Sequence, residues 1–472
     1  MTIDFSFLSE FSNPFAITWF LFTHGGWLII IVALFWGGFK LWTGYAQERF
    51  ASTIEYVILA IDVPRETEQT PKALESAFAH IHGVESAPSW YEKNIKGEFQ
   101  PPLSFEIISI GGFIQYLVRI PIQYRDLVES AFYAQYPDAE ISEVEDYTQQ
   151  FVAQFPNEEY DLWGADIVLR QKDYYPIRTY PAFEHTMTQQ LLDPMASLLE
   201  YMSRLRPGEQ LWIQTMIVPP DDDSWLDGAR GIIKKLAKAT YGSSGGGGGL
   251  LDNVLWLPKQ VASGLTETFT ADLVSPFGKE ESSDSKEASI MSHLTPNDKA
   301  VIEAISYKTA KLYFDCKMRI VYLGEGDSFS KDRVPGITGA LKQFNTLDMN
   351  GFKVDKKTKP KAKYLGKEKR IATKKKRILR AFQNRDMSTG ADPYVLNIEE
   401  LATIYHFPVV NVKAPLVQKT EARRAEPPSS LPVEVVPIRR AKQVQSVPVD
   451  PDQEVLSSDA EEKDQPPSNL PI

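Results

Sequence analysis

The chain has 472 residues, enough for two or three domains, and 43% of them are hydrophobic, enough for cores of ordinary size. Its single cysteine, Cys316, excludes an internal disulfide and cysteine-built zinc or iron–sulfur sites, and it fits a reducing compartment. The net charge of -11 is unevenly placed, so the charged blocks say more than the total.

Residues 1–16 hold Asp4 and Glu10 and no Lys or Arg, and read as a short extracytoplasmic N-terminus. Residues 17–42 follow as a membrane anchor. No charged residue interrupts Ile17 to Phe39, and a helix of that length extends roughly 35 Å, enough for the hydrocarbon core. Trp19, Trp36 and Trp42 fall near the ends, where indoles favour the lipid–water boundary, and Trp27 lies within. A shorter arrangement lays Pro14 to Phe22 in the interface and crosses with Trp27 to Trp42, bending at His24-Gly25-Gly26. Lys40 and Arg49 come after the segment, so the positive-inside rule predicts a single-pass inner-membrane protein with its N-terminus outside and its body cytoplasmic. The lack of a basic n-region argues against a cleaved signal.

Residues 52–150 read as a first α+β unit. Ile54 to Val63 is an apolar run ended by Pro64, a central strand. Thr70-Pro71 opens a helix with Leu74, Phe78 and Ile81 at helical spacing. Leu103 to Ile110 and Phe113 to Ile120 are strands joined through Gly111-Gly112, a hairpin signal because such turns need positive φ. A helix over Gln123 to Tyr136 and a strand over Asp138 to Tyr147 complete a β-α-β-β-α-β order, the ferredoxin-like pattern.

Residues 160–355 repeat that order around an insertion. Leu162 to Tyr175 is a strand, Met195 to Leu205 a helix and Gln210 to Val218 a strand; Leu312 to Leu323, Arg333 to Phe344 and Gly351 to Asp355 supply strand, helix and strand. A further helix runs from Thr295-Pro296 to about Ala310. The predicted fold is therefore an N-terminal transmembrane helix followed by two tandem ferredoxin-like units, a duplication argued from order alone. The insertion, 221–294, opens with a basic amphipathic helix, Ser224 to Tyr241, that sets Trp225, Ile232, Ile233 and Leu236 against Arg230, Lys234, Lys235 and Lys238. Such a helix lies on a membrane surface or packs on the sheet as a lid. Gly245 to Gly249 is a flexible joint without the Lys-Ser/Thr of a phosphate loop.

No pattern marks an enzyme. His80 and His82 point to different faces of a helix and make poor joint ligands, and Asp221-Asp222-Asp223 reads as a solvated loop and helix cap. No nucleophile–base pair or metalloprotease motif is visible, so no catalytic residue, cofactor, metal or small-molecule substrate is expected.

Residues 356–413 read as a basic linker with a helical segment. From Lys353 to Arg380 there are 14 cations: Lys353, Lys356, Lys357, Lys359, Lys361, Lys363, Lys367, Lys369, Arg370, Lys374, Lys375, Lys376, Arg377 and Arg380. Such density attracts nucleic-acid phosphates or anionic lipid, unless it is only a solvated linker. Aromatics are sparse, with Tyr364 and then Phe382, which favours backbone contact over base stacking. Residues 414–472 read as a disordered docking tail in which Asp450 to Asp464 contains seven acids.

Several stretches together resemble a family of bacterial membrane-anchored proteins carrying a domain of unknown function: Glu55 to Pro64, Gln69 to Ala73, Ser104 to Gly112, Ala134 to Ile141, Asp193 to Glu200, Arg206 to Gln210 and Leu396 to Pro408. The resemblance covers roughly 15–430. Longer members of that family adjoin a type IV secretion or conjugative-coupling ATPase, and Glu399 to Pro408 is similar to the segment near the junction. This chain lacks Walker motifs. The resemblance implies a non-enzymatic inner-membrane scaffold that holds a separate translocation ATPase or other partners. The alternative is a membrane-tethered nucleic-acid-binding protein that uses residues 353–380.

Overall fold

The computed structural model describes residues 27–64, 69–183, 192–242, 295–364 and 366–408, with Trp19, Phe22 and Thr23. The N-terminal segment 1–16, the glycine joint and the tail 414–472 lie outside the described residues.

The first helix, α1, runs Trp27–Ala51 and corrects the predicted anchor. Its uncharged part, Trp27 to Phe39, covers roughly 20 Å at 1.5 Å per residue, short of a hydrocarbon core of about 30 Å. The same helix then continues through Lys40, Glu48 and Arg49. Its second half belongs to the body. Ala46 is buried, Trp42 Nε1 donates to Ile95 O at 3.3 Å, Thr43 Oγ1 donates to Asn94 O at 3.4 Å, and the Phe39 ring stacks on Trp90. Among the described residues no helix is long and apolar enough to cross a membrane. The expected transmembrane helix does not stand, and the single-pass inner-membrane placement inferred from it falls with it. Trp19, Trp27 and Trp36 are exposed.

The strands β1 (Tyr56–Asp62), β2 (Leu103–Ile110), β3 (Phe113–Pro121) and β4 (Glu140–Val144) pair antiparallel in the order β4-β1-β3-β2. Helices α2 (Pro71–Ile81) and α3 (Arg125–Tyr133) connect them. The β2–β3 turn uses Gly111 at φ 58° and Gly112 at φ 98°. β5 (Tyr160–Leu169), α4 (Ala196–Ser203) and β6 (Glu209–Val218) follow. After α5 (Ser224–Gly242) and α6 (Pro296–Thr309) come β7 (Tyr313–Glu325), α7 (Arg333–Ala340) and β8 (Phe352–Val354). The second set is ordered β6-β7-β5-β8, the first order reflected.

The two sets do not form separate four-stranded sheets as predicted. β2 pairs antiparallel with β6 from Leu103↔Ile217 to Ile110↔Gln210, which joins all strands into one nine-stranded sheet. An unpartnered β2 or β6 would leave its N–H and C=O groups without a ladder. Both strands are buried on both faces nearly throughout, a burial that an edge strand cannot reach.

The chain after β8 also enters the core. β9 (Tyr394–Asn397) pairs with Tyr313–Cys316, the part of the long β7 that extends beyond β5. Helix α9 (Ile398–Ile404) starts at a capping box in which the Asn397 side chain accepts from the Glu400 N–H and the Glu400 carboxylate accepts from the Asn397 N–H. It packs beside α2. One face of the sheet is thus covered by α2, α3, α4, α7 and α9, with Phe78, Phe132, Leu199, Ile337, Tyr405 and Phe407 among the buried groups. The other face is covered by α8 (Lys367–Gln383) and the segment 145–160, through Tyr147, Phe151, Ile378, Leu379 and Phe382.

Candidate polyanion-binding face

The predicted basic block folds mainly as α8, and its hidden apolar stripe decides where it sits. Ile378, Leu379 and Phe382 are buried against β5, β6 and β7, with the Phe382 ring 5.5 Å from Trp212. The helix approaches β5 closely at Gly164, where a Cβ would stand 3.3 Å from Ile378 Cγ2. Lys375 pairs with Asp161 on β5. Lys374 Nζ donates to the carbonyls of Lys359 and Lys361 at 3.1 and 3.4 Å and so ties the preceding loop to the helix. Gln383 Nε2 donates to Thr148 O and Phe151 O at 2.9 and 2.7 Å.

A buried polar belt holds the C-terminal end of α8. Arg319 on β7 donates to the carbonyls of Ala381, Asp386 and Thr389 at 2.6–2.7 Å and pairs with Asp166 at 2.9 Å, both side chains fully buried. Lys317 Nζ donates to Met387 O and Thr389 O at 2.7 and 2.8 Å. Two cations from the sheet thus meet the negative end of the helix dipole and the carbonyls that follow it. Arg385 follows the C-cap at φ 49°, the one non-glycine residue with positive φ among those described. That conformation sends its guanidinium into the sheet, onto Glu106 and Asp146. Gln214 Nε2 and Tyr147 Oη also donate to Glu106.

The acids of this belt are held ionised. Burial raises Glu106 and Asp146, but the Arg385 charge and its hydrogen bonds outweigh burial and lower both. Burial likewise raises Asp386, and hydrogen bonds from Thr389 and Ser388 bring it down to about 2. Burial, with the neighbouring Arg319 charge adding to it, lowers Lys317.

The structure separates the predicted polyanion ligands into two groups. Lys374 and Lys375 are half-buried and occupied by the contacts above, and Lys359 and Lys376 are half-buried. Lys356, Lys357, Lys361 and Lys363 on the preceding loop are exposed, as are Arg377 and Arg380 on the helix, together with Lys369 and Arg370. A cleft of about 890 Å³ runs beside the first half of α8 and is lined by Lys369, Ile371, Lys375 and Lys376 opposite Phe155 and Asn157. The cations therefore form a firmly seated array next to a groove.

The predicted membrane-surface helix is only partly free. Trp225 sits between the rings of Tyr174 and Tyr313, at 5.8 and 4.8 Å, and Ala229 is fully buried. Ile232, Ile233 and Leu236 are half-buried. Among the described residues no group of three or more His, Cys, Asp or Glu could hold a metal ion.

Sequence reasoning passed over Arg319, Asp166, Glu106 and Arg385. The available signal was charge at positions where β2, β5 and β7 otherwise read as apolar strands, because buried charges come in pairs.

Fold and face together define an α+β protein built on one antiparallel sheet, with a basic helix clamped over one of its faces. The chain belongs to the family described as a domain of unknown function, DUF8128, whose model matches residues 46–420. The match begins at Ala46, a buried residue of α1, and takes in the whole sheet and α8. No curated protein matches the chain.

Proposed function

We propose that this chain is a non-enzymatic binding module that holds nucleic-acid backbone on the α8 face. One observation carries the reading: Lys369, Arg370, Arg377 and Arg380 project from a helix whose opposite side buries Ile378, Leu379 and Phe382 against the sheet and whose C-terminal end is held by the buried Arg319. Holding the cations in place lowers the ordering cost of each phosphate contact. The contacts are to phosphate rather than to bases, since they are charge contacts and carry no sequence information. Titration of labelled duplex DNA at a series of salt concentrations tests this. Binding should weaken steeply with salt, by about 0.9 log units per log unit of salt for each phosphate neutralised, and depend little on sequence. Absence of binding at low salt would remove the reading.

A second reading makes the chain a scaffold for a translocation ATPase or other protein. Its support is the resemblance above and the first half of α1, where Leu28, Ile30, Ile31, Leu34, Phe35 and Trp36 are all exposed. Apolar surface on this scale marks an interaction site. Affinity purification with and without residues 27–39 tests it: a protein partner lost on deletion supports the scaffold, and an unchanged set of partners counts against it.

A further inference from the structure

We infer that the α8 face has an occupant within the same chain, the acidic stretch Asp450 to Asp464. Two observations meet here. The first is the state of the surface cations. Elsewhere on the body exposed cations either pair, as Lys93 does with Asp221, Lys96 with Glu92 and Glu98, Arg125 with Glu129 and Glu143, and Arg204 with Glu200, or stand without a described carboxylate in ones and twos, as at Lys40, Lys72, Lys331 and Lys342. On α8 and its loop, Lys356, Lys357, Lys369, Arg370, Arg377 and Arg380 have no described carboxylate within ion-pair distance. The second is the composition of the stretch: Asp450, Asp452, Glu454, Asp459, Glu461, Glu462 and Asp464 with only Lys463, a net charge of -6 from seven acids and one base.

The connection allows the contact. The described body ends at Pro408, and residues 409–449 can extend to at most about 140 Å. The sheet has eight strands in its row, with β9 beside β7 off that row, and is roughly 40 Å across at 4.8 Å per strand. The acidic stretch can therefore reach α8 even though the body ends on the opposite face. Tethering makes the contact intramolecular, with an effective concentration that a free polyanion must exceed. The acidic stretch then acts as a built-in competitor, setting the threshold at which an external polyanion gains the face. It shares this face with the proposed function, but its first test does not involve nucleic acid.

Zero-length carbodiimide coupling of the dilute full-length chain, followed by peptide mapping, joins carboxylates to the lysines they touch. The inference predicts links from residues 450–464 to Lys356, Lys357, Lys369 or Lys376 that disappear at high salt. Links confined to Lys413, Lys419 and Lys442 of the connecting segment would overturn it, as would links spread evenly over the lysines of the body. A second measurement compares duplex-DNA affinity with that of a variant whose seven acids are replaced by Asn or Gln. The variant should bind at least about tenfold more tightly at low salt, a gap that closes as salt rises. Equal affinities would overturn the inference and leave the DNA reading standing. The α8 links without DNA binding by either protein would support the inference and remove the DNA reading.

Discussion

Arg385 and Glu106, 279 residues apart in sequence, meet inside the protein, with Nε 3.0 Å from Oε1 and Nη2 3.2 Å from Oε2. Neither side chain is more than 2% exposed. The pair ties the end of α8 to β2, at the strand that joins the two halves of the sheet. Arg385→Met leaves a buried carboxylate without its counter-charge, and breaking such a pair costs about 3–5 kcal/mol. Adding Glu106→Gln removes the orphaned charge and should restore a large part of that loss. Urea denaturation measures both, and a cost below about 1 kcal/mol for the single variant would contradict the account.

The same belt predicts an acid response. Glu106, Asp146 and Asp386 titrate lower in the folded protein than their ordinary values, against the pull of burial. A carboxylate depressed on folding stabilises fully above its unfolded pKa and loses that contribution as pH falls through its folded one. The urea midpoint should hold from pH 7 to about 5, then fall between about 4 and 2, where Asp386 takes its proton. Asp386→Asn should flatten the lower end of that curve. A loss beginning near pH 6, or none by pH 2, would contradict the assignment.

Gly112 offers a local test of the β2–β3 turn. Its φ is 98°, and an added Cβ would lie 2.7 Å from the Ser203 carbonyl oxygen. Gly112→Val should cost about 1–3 kcal/mol, while Gly83→Ala, with nothing within 4 Å of the new atom, should cost little. Thermal unfolding of the two variants decides, and equal midpoints would show that the turn is not constrained.

Much of the sheet was legible in the chain. The runs 56–62, 103–110 and 113–121 announce themselves as strands, and Thr295-Pro296 announces α6, where Thr295 accepts from the Asp298 N–H. The joining of β2 to β6 was not legible, because pairing between distant strands leaves no local mark beyond continuous burial. The seating of the basic block was not legible for a different reason. Lysine density hid Ile371, Ile378 and Phe382, whose spacings of seven and four place them on one helical side. Asn397 and Glu400 carried a capping-box spacing three residues apart that signals α9. The uncharged N-terminal run read as longer than the uncharged part of α1, which ends at Phe39 and passes into a charged half docked on residues 90–97.

Lys375 and Arg377 are neighbours in sequence with different roles. Lys375 is tied to Asp161, so Lys375→Gln should lower thermal stability and leave the salt dependence of DNA binding nearly unchanged. Arg377→Gln should do the reverse. Melting curves and binding isotherms for the two variants test this division, and identical behaviour would contradict it.

The proposed role of the clamped α8 face is to hold nucleic-acid backbone through its exposed cations. The most direct measurement is duplex-DNA affinity across salt concentration for the chain with its seven tail acids neutralised, with and without Lys356, Lys369, Arg377 and Arg380 changed to Gln. Binding should be salt-dependent and sequence-indifferent, with a log–log slope that falls by up to about 3–4 in the quadruple variant. Binding whose slope is the same in both proteins, or no binding at the lowest salt, would contradict it.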